Sequence, residues 1–437
     1  MRYRHIVALA LPIIVQRLVF QMQSLTDKLF LGALDTRYLA ALGTSQFPLS
    51  TTFDTLTALC AGIAIVVSRH FGARNLRPAR AVIRAGILCN SLVSLLFLAL
   101  WLMLGRALFR AMHVRAELLP HCLSYVRICA LYFVVAGLDA SVQAFWQGIG
   151  RTGIIMLAGI IKVSLNVFLT WILVSGRFGI PSLGMSGAAL GTLAANVVSC
   201  AFNVLCFLRA RRAFFPKMAG NPGHAPFFAP YREAALLGVP VALEWLVWNC
   251  SNLVLIALLN SFSYAATATF TLTAGIEVVA YAFYCGNAAA AMTLIGHRLG
   301  AGDRRGAREL FFSCLVLNCV VVAAFIVLFR LRAQQIIGIF TSDTELVHGA
   351  APFLFATALI MVPKSVNVIC GNTLKAYKDT LWLLKMQLLG STIVILLSLC
   401  LVRGAGMTAA AIYITLLVDE SVRAVINFAR YRRVSVC

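Results

Sequence analysis

The sequence predicts an all-α polytopic membrane protein, with twelve transmembrane helices arranged as two homologous six-helix lobes. Three observations lead there. Of the 437 residues, 61% are hydrophobic and only 12% are charged, with a mean hydropathy of +0.90; a water-soluble domain of this length needs far more charge on its surface. Most of the chain falls into long apolar runs, and about 20 residues are enough to cross the hydrocarbon core as a helix. The runs lack the alternation of β-barrel strands. Third, a single offset of 228 residues lays the second half of the chain over the first.

The first lobe, 1–208, holds six of the predicted spans. Span 1 covers 6–31. The short basic stretch before it leads into a run longer than a signal-peptide core and without a small-residue cleavage site, so the span is expected to be retained. Pro12 removes a backbone hydrogen bond there and permits a bend. Gln16, Gln23 and Asp27 follow at i, i+7 and i+11 on one helix face, with Phe20 on that face and Ser24 beside it. Span 2 (38–67) carries Asp54 in a Thr-rich setting, and span 3 covers 80–104. Span 4 (120–149) sets Asp139, Gln143 and Gln147 at i, i+4 and i+8. Span 5 (153–175) sets Lys162 and Asn166 at i and i+4, and span 6 covers 183–208. A linker over 209–232, rich in Arg, Pro, Gly and Phe, is too polar to span and too short for a domain; it is expected in the cytoplasm.

The second lobe, 233–437, repeats the pattern. Span 7 (234–260) contains Pro240 and Glu244, then Asn249, Ser251 and Asn252; Glu244 falls over Gln16 at the common offset. Span 8 (265–295) carries Glu277 as an isolated acid in apolar surroundings, and span 9 covers 306–331. Span 10 (349–376) contains Lys364. Spans 11 and 12 cover 380–402 and 406–429.

The duplication rests on charged loops, because small residues shared by membrane helices match cheaply. Gly72 and Gly300, Ala73 and Ala301, Arg77 and Arg305, and Arg80 and Arg308 are each 228 apart, as are Pro12 and Pro240, and Asp139 and Asn367. Arg151 stands over Lys378 with one slip. Six is even, so both lobes begin on the same side of the membrane, as parallel repeats about an axis along its normal. Lobes of this kind are expected to leave a cavity whose access alternates, which makes transport the natural function.

The net charge of +22 raises nucleic acid as a partner, but its distribution argues against one. With the N-terminus inside, the loops and termini on that side hold 23 Lys and Arg and the opposite loops hold 8. That bias predicts both termini in the cytoplasm of an inner (plasma) membrane protein, with the basic surface facing anionic membrane lipid. Six bases remain within spans: Arg17, Lys28, Arg127, Lys162, Lys364 and Lys385. The thirteen cysteines form no C-x-x-C pair, so no metal site or disulfide framework is expected. The chain has no P-loop, no H-E-x-x-H and no G-x-S-x-G, so no enzyme is predicted and no cofactor. An ion gradient is left as the energy source.

Five acids lie well inside spans: Asp27, Asp54, Asp139, Glu244 and Glu277. Each costs about 2.5–3.5 kcal/mol to insert unless it faces a cavity or a partner. For Asp27 the functional reading is uptake of a coupling cation, either H⁺ or a transient Na⁺, since a carboxylate removed from water is driven to exchange charge for a proton or a cation. The alternatives are a structural pair with Lys28 or Arg17, or a place at the outer interface near Asp35. Adjacent helix residues point about 100° apart, so Lys28 is expected to reach for the surface. For Asp139 a salt bridge with Lys162 competes with a transport role. For Glu244, contact with a cation or substrate competes with an interhelical hydrogen bond.

The stretches LALPIIVQRLVFQMQSLTDKLFLG, VVSRHFGARN and GIGRTG in the first lobe, with FGIPSLGMSGAALGT over 178–192, resemble the multidrug and toxic compound extrusion (MATE) family. So do LGVPVALEW, LIGHRLGAGDRRGAREL and LKAYKDT in the second. The resemblance covers nearly the whole chain and implies antiport of H⁺ or Na⁺ against drug-like, often cationic or amphipathic organic compounds. It assigns cation coupling to Asp27 and Asn166, with Thr170 where some members have a further acid. The polar positions Gln16, Gln23, Asp139, Gln143, Glu244, Asn252 and Lys364 are expected around the substrate cavity, with hinges at Pro12 and Pro240. Lys364 replaces an acid of other members, and Glu244 lies one turn before the usual acid of span 7. A site this thin in oxygen ligands favours H⁺ over Na⁺. Lys162 and Lys364 make an anionic or zwitterionic substrate the second possibility. A monomer is expected. The rival reading is a flippase for a lipid-linked precursor; a scaffold would need a partner domain that the short loops cannot hold, and a channel does not need two lobes.

Overall fold

The chain folds into helices whose ends are set by short polar residues between the apolar runs. In the computed structural model described here, residues 2–214, 228–260, 264–341, 343–404 and 409–436 are described. The centre of the predicted linker, 215–227, the residues between spans 7 and 8 at 261–263, and the start of span 12 at 405–408 lie outside them. The helices are α1 (Arg2–Leu34), α2 (Thr36–Gly72), α3 (Leu76–Ala111), α4 (Leu119–Ala130), α5 (Phe133–Gly148), α6 (Thr152–Ser175) and α7 (Gly184–Phe214). After the linker come α8 (Ala229–Asn260), α9 (Tyr264–Gly300), α10 (Arg304–Gly338), α11 (Thr344–Ala376), α12 (Thr380–Leu399) and α13 (Ala409–Val436), with a π-helical turn at Cys400–Gly404.

Aspartates cap three of these helices. Asp35 accepts from the Arg37 backbone N–H at 2.8 Å, Asp303 from Gly306 at 2.7 Å, and Asp343 from Glu345 and Leu346 at 3.0 and 3.2 Å. Asp35 lies in the turn between α1 and α2, where the Arg37 N–H and guanidinium hold its carboxyl below the usual carboxylate range.

The twelve spans are present. Ten helices among the described residues are long and apolar enough to cross a membrane. The span expected over 120–149 is broken into α4 and α5, bent by 51° across Leu131 and Tyr132. The twelfth, α13, is set apart from these ten by its charge: Asp419, Glu420 and Arg423 sit in its middle. Span 12 (406–429) contains all three, yet none of them is among the in-span acids and bases singled out from the sequence. The structure corrects this: Asp419, Glu420 and Arg423 are all buried within the helix.

The described chain divides into two compact units, Val15–Ala242 and Met1–Ile14 with Leu243–Cys437. The cuts fall inside α1 and α8, just after Pro12 and Pro240, and the second-half cut lies 228 residues after the first. Each prolyl helix thus gives its first turns to one unit and the rest to the other, at equivalent places in the repeat. Within the Val15–Ala242 unit the start of α8 meets α2 backbone to backbone. A Cβ on Gly62 would overlap the Ala234 carbonyl, and one on Gly238 the Leu59 carbonyl. Gly62→Leu is therefore expected to lower stability by about 1–3 kcal/mol, read as an earlier thermal unfolding midpoint in detergent; an unchanged midpoint would remove this account of the crossing. The unit's apolar core gathers Leu42, Leu56, Trp101, Phe109, Phe133 and Met185 from α2, α3, α5 and α7. In the other unit, Tyr284, Phe329, Leu354 and Met361 form the corresponding core from α9, α10 and α11.

Candidate functional site

Each unit carries buried polar side chains among its described residues. In Val15–Ala242 a cluster of them is organised by α6 and α7. Two glycines of the GAALG segment bring these helices together: a Cβ on Gly187 would stand 2.7 Å from the Leu173 carbonyl oxygen, and one on Gly191 2.8 Å from Thr170 Oγ1. That approach buries Asn166 and Thr170 completely and sets Asn166 against Thr192. Asp27, on α1, is 3% exposed, while Lys28 beside it is exposed, as the angle between neighbouring helix residues requires. The Asn166 amide is oriented by its partners. Its nitrogen donates to Asp27 Oδ1 at 3.3 Å, and its oxygen accepts from the Thr192 hydroxyl at 2.9 Å and the Thr192 N–H at 3.3 Å.

Other residues surround Asp27. Tyr125 and Cys129, on α4, are near enough to Asp27 to feel its charge. Gln23, one helical turn before Asp27, is buried with its Oε1 unpartnered, and so is Thr170 Oγ1. The structure thus brings Asp27, Asn166, Thr170 and Gln23 into one region of one unit. Gln16 is half-buried and packs on Gly159, on the α6 face four residues before Val163.

Asp139 has different company. The Tyr132 hydroxyl donates to its Oδ2 at 2.5 Å, Gln143 Nε2 donates at 2.9 Å to the same oxygen, and Asn203 Nδ2 donates to Oδ1 at 2.9 Å. The salt bridge with Lys162, one of the two readings of Asp139, does not form. Neutral donors already fill the carboxylate, and Lys162 instead stands 4.7 Å from the Phe20 ring centroid, with Asp139, Asp54 and Asp27 as its electrostatic neighbours. Asp54 is therefore not isolated. Asp139 and Gln143 bind each other rather than standing free for a ligand.

In the second unit the cluster is built from charges. Glu277, read from sequence as isolated, is paired: Lys364 Nζ reaches its Oε1 at 2.7 Å and the Tyr284 hydroxyl donates to the same oxygen at 2.9 Å. Lys364 also lies 5.6 Å from the Tyr281 ring centroid. Glu244 pairs with Lys375 at 3.3 Å. Arg423 bridges Asp419 at 2.5 Å and Glu420 at 3.1 Å and donates to Gln387 at 3.0 Å; Asn367 Nδ2 donates to Glu420 at 2.9 Å. Asn252 bonds within its own helix, to the Trp248 carbonyl at 3.0 Å. Pro12 is half-buried and Pro240 buried, each inside its helix.

Sequence reasoning missed Tyr125 and Thr192, whose types are common in any helix. It also missed Asp419, Glu420 and Arg423, for which a signal existed: three charges at i, i+1 and i+4 inside an apolar run.

The chain matches known proteins over its whole length. The MatE family model matches residues 12–172 and again 240–402, and the two matches begin 228 residues apart. The chain is 24% identical over 430 residues to the uncharacterized transporter YisQ of Bacillus subtilis (strain 168), covering 97% of this chain and 93% of that one. It is 23% identical over 377 residues to the probable multidrug resistance protein NorM of Chromobacterium violaceum, covering 86% and 81%. Among solved structures, one described as the outward-facing conformation of a multidrug resistance MATE family transporter of the MOP superfamily superposes with a TM-score of 0.90. It is 19% identical, over 100% of this chain and 96% of that one.

Proposed function

The chain belongs to the MatE family, and on that premise we propose that it is a secondary active transporter, exporting drug-like organic compounds in exchange for H⁺ by alternating access. The observation that carries the proposal is the buried pair of Asp27 with the Asn166 amide. A membrane-embedded carboxylate is expensive unless it serves a path for ions or protons. Asn166 turns its nitrogen toward Asp27 and engages its oxygen with Thr192. It therefore offers the carboxylate a hydrogen-bond donor while its own oxygen is engaged. A sodium ion needs several oxygens at once, and beside Asp27 the unpartnered side-chain oxygens are Gln23 Oε1 and Thr170 Oγ1; a proton needs the carboxylate alone, and this favours H⁺.

In the cycle, protonation of Asp27 removes its charge and weakens its hold on Asn166. α1 then repacks about Pro12, where the helix lacks a backbone hydrogen bond, and the substrate leaves on the far side. Thr170 and Gln23 flank the carboxylate with unpartnered polar atoms that can hold a water for proton exchange. Glu244, Asn252 and Lys364 serve the substrate from the second unit, and relatives described as multidrug resistance proteins point to small, chemically varied organic substrates. The protein works as a monomer in the inner membrane with both termini in the cytoplasm.

The test is efflux of a fluorescent cationic dye from proteoliposomes. An imposed pH gradient is expected to drive efflux, and an imposed Na⁺ gradient at equal pH is not. Efflux driven by Na⁺ alone would overturn the proton assignment, and no efflux under either gradient would overturn the assigned substrate class.

A further inference from the structure

Two arginines of the Val15–Ala242 unit stand within or beside apolar runs with no carboxylate to meet them. Arg106 lies five residues before the end of α3, and Arg127 is the ninth residue of α4, three before its end. Both are exposed, and neither makes an ion pair, hydrogen bond or ring contact among the described residues. They line one groove of about 690 Å³, whose other walls include Leu119, Leu123 and Ile128. The polar wall residue, Ser124, shares its hydrogen bond with Ser186 at 2.7 Å. The nearest acid in sequence, Glu117, sits in the turn between α3 and α4 and is paired with neither arginine.

A guanidinium cannot shed its charge by losing its proton, and Arg127 falls inside the span expected over 120–149, where an unpaired charge is costly. Two such groups beside leucine and isoleucine call for an anion with an apolar body. The guanidinium fork matches phosphate oxygens two at a time. A free phosphate would satisfy the arginines and leave the apolar walls uncovered; a zwitterionic lipid would bring its own cation against them. We propose that the groove binds an anionic phospholipid, with the phosphate between Arg106 and Arg127 and an acyl chain along Leu119, Leu123 and Ile128. The proposal does not depend on the direction or coupling of transport. By counting spans, it faces the leaflet opposite the N-terminus.

Native mass spectrometry of the full-length protein tests this, with phosphatidylglycerol and phosphatidylcholine of identical chains as probes and inorganic phosphate as competitor. The tightest retained lipid is expected to be phosphatidylglycerol, with a preference on the order of tenfold for two arginines. The variant Arg106→Gln/Arg127→Gln should lose that site, and Arg106→Lys/Arg127→Lys should keep part of the preference. Inorganic phosphate should not displace the lipid. Equal retention of the two lipids by the wild type overturns the proposal whether or not the glutamine variant folds. Undiminished preference in that variant overturns it too, and displacement by inorganic phosphate would mark a free-phosphate site instead.

Discussion

In proteoliposomes carrying Asp27→Asn, dye efflux driven by a pH gradient is expected to fall to the rate of protein-free vesicles. The substitution keeps the size and the planar shape of the side chain, so the contacts that bury it against α6 and α7 survive. It removes the only property that a carboxylate at this position has and an amide lacks, which is exchange of a proton with a change of charge. Asn166 Nδ2 faces the Asp27 oxygen at 3.3 Å; in the variant it meets a neutral amide at every pH, and the signal that repacks α1 is gone. Dye binding, followed by fluorescence quenching on detergent-solubilised protein, should change little, because the substrate residues proposed in the second unit are untouched. Full gradient-driven efflux by the variant would rule out Asp27 as the coupling group. Loss of both binding and efflux would point to a general packing defect.

Lys364→Met is expected to destabilise the protein by about 3–5 kcal/mol, because it leaves one partner of a largely buried ion pair behind. Lys364 and Glu277 are 21% and 12% exposed, and they meet at 2.7 Å. Without the ammonium, the Glu277 carboxylate keeps only the Tyr284 hydroxyl. The double variant Lys364→Met/Glu277→Gln should recover most of the loss, since an uncharged pair has no uncompensated charge to bury. Reversible denaturation in mixed micelles gives both values. A single variant as stable as the wild type, or a double variant no better than the single, would show that the pair does not hold α9 to α11.

What could be read along the chain depended on how local the signal was. The twelve spans follow from hydropathy summed over some 20 residues, which no tertiary contact alters, and all twelve were placed. The duplication was legible because Arg77 and Arg305, or Gly72 and Gly300, are matched in sequence itself. Asp27 could be singled out because a lone acid in an apolar helix is conspicuous, and its pairing with Asn166 followed from the family resemblance. The exposure of Lys28 beside the buried Asp27 followed from helix geometry.

Tertiary structure alone decided the partners. Glu277 looked isolated because Lys364 is 87 residues away, on a helix that meets it only after folding. Asp139 took Tyr132, Gln143 and Asn203 in place of Lys162, since three neutral donors held in place satisfy a carboxylate without burying a second charge. The break at Leu131 and Tyr132 carries no proline to announce it, and nothing along the chain names Gln387 and Asn367 as the partners that close around the buried triad Asp419, Glu420 and Arg423. The sequence by itself determined which segments enter the membrane and that they do so twice over, because transfer of a side chain into hydrocarbon depends on that side chain. Which charges neutralise one another was left to packing, because an ion pair depends on two positions and the distance between them.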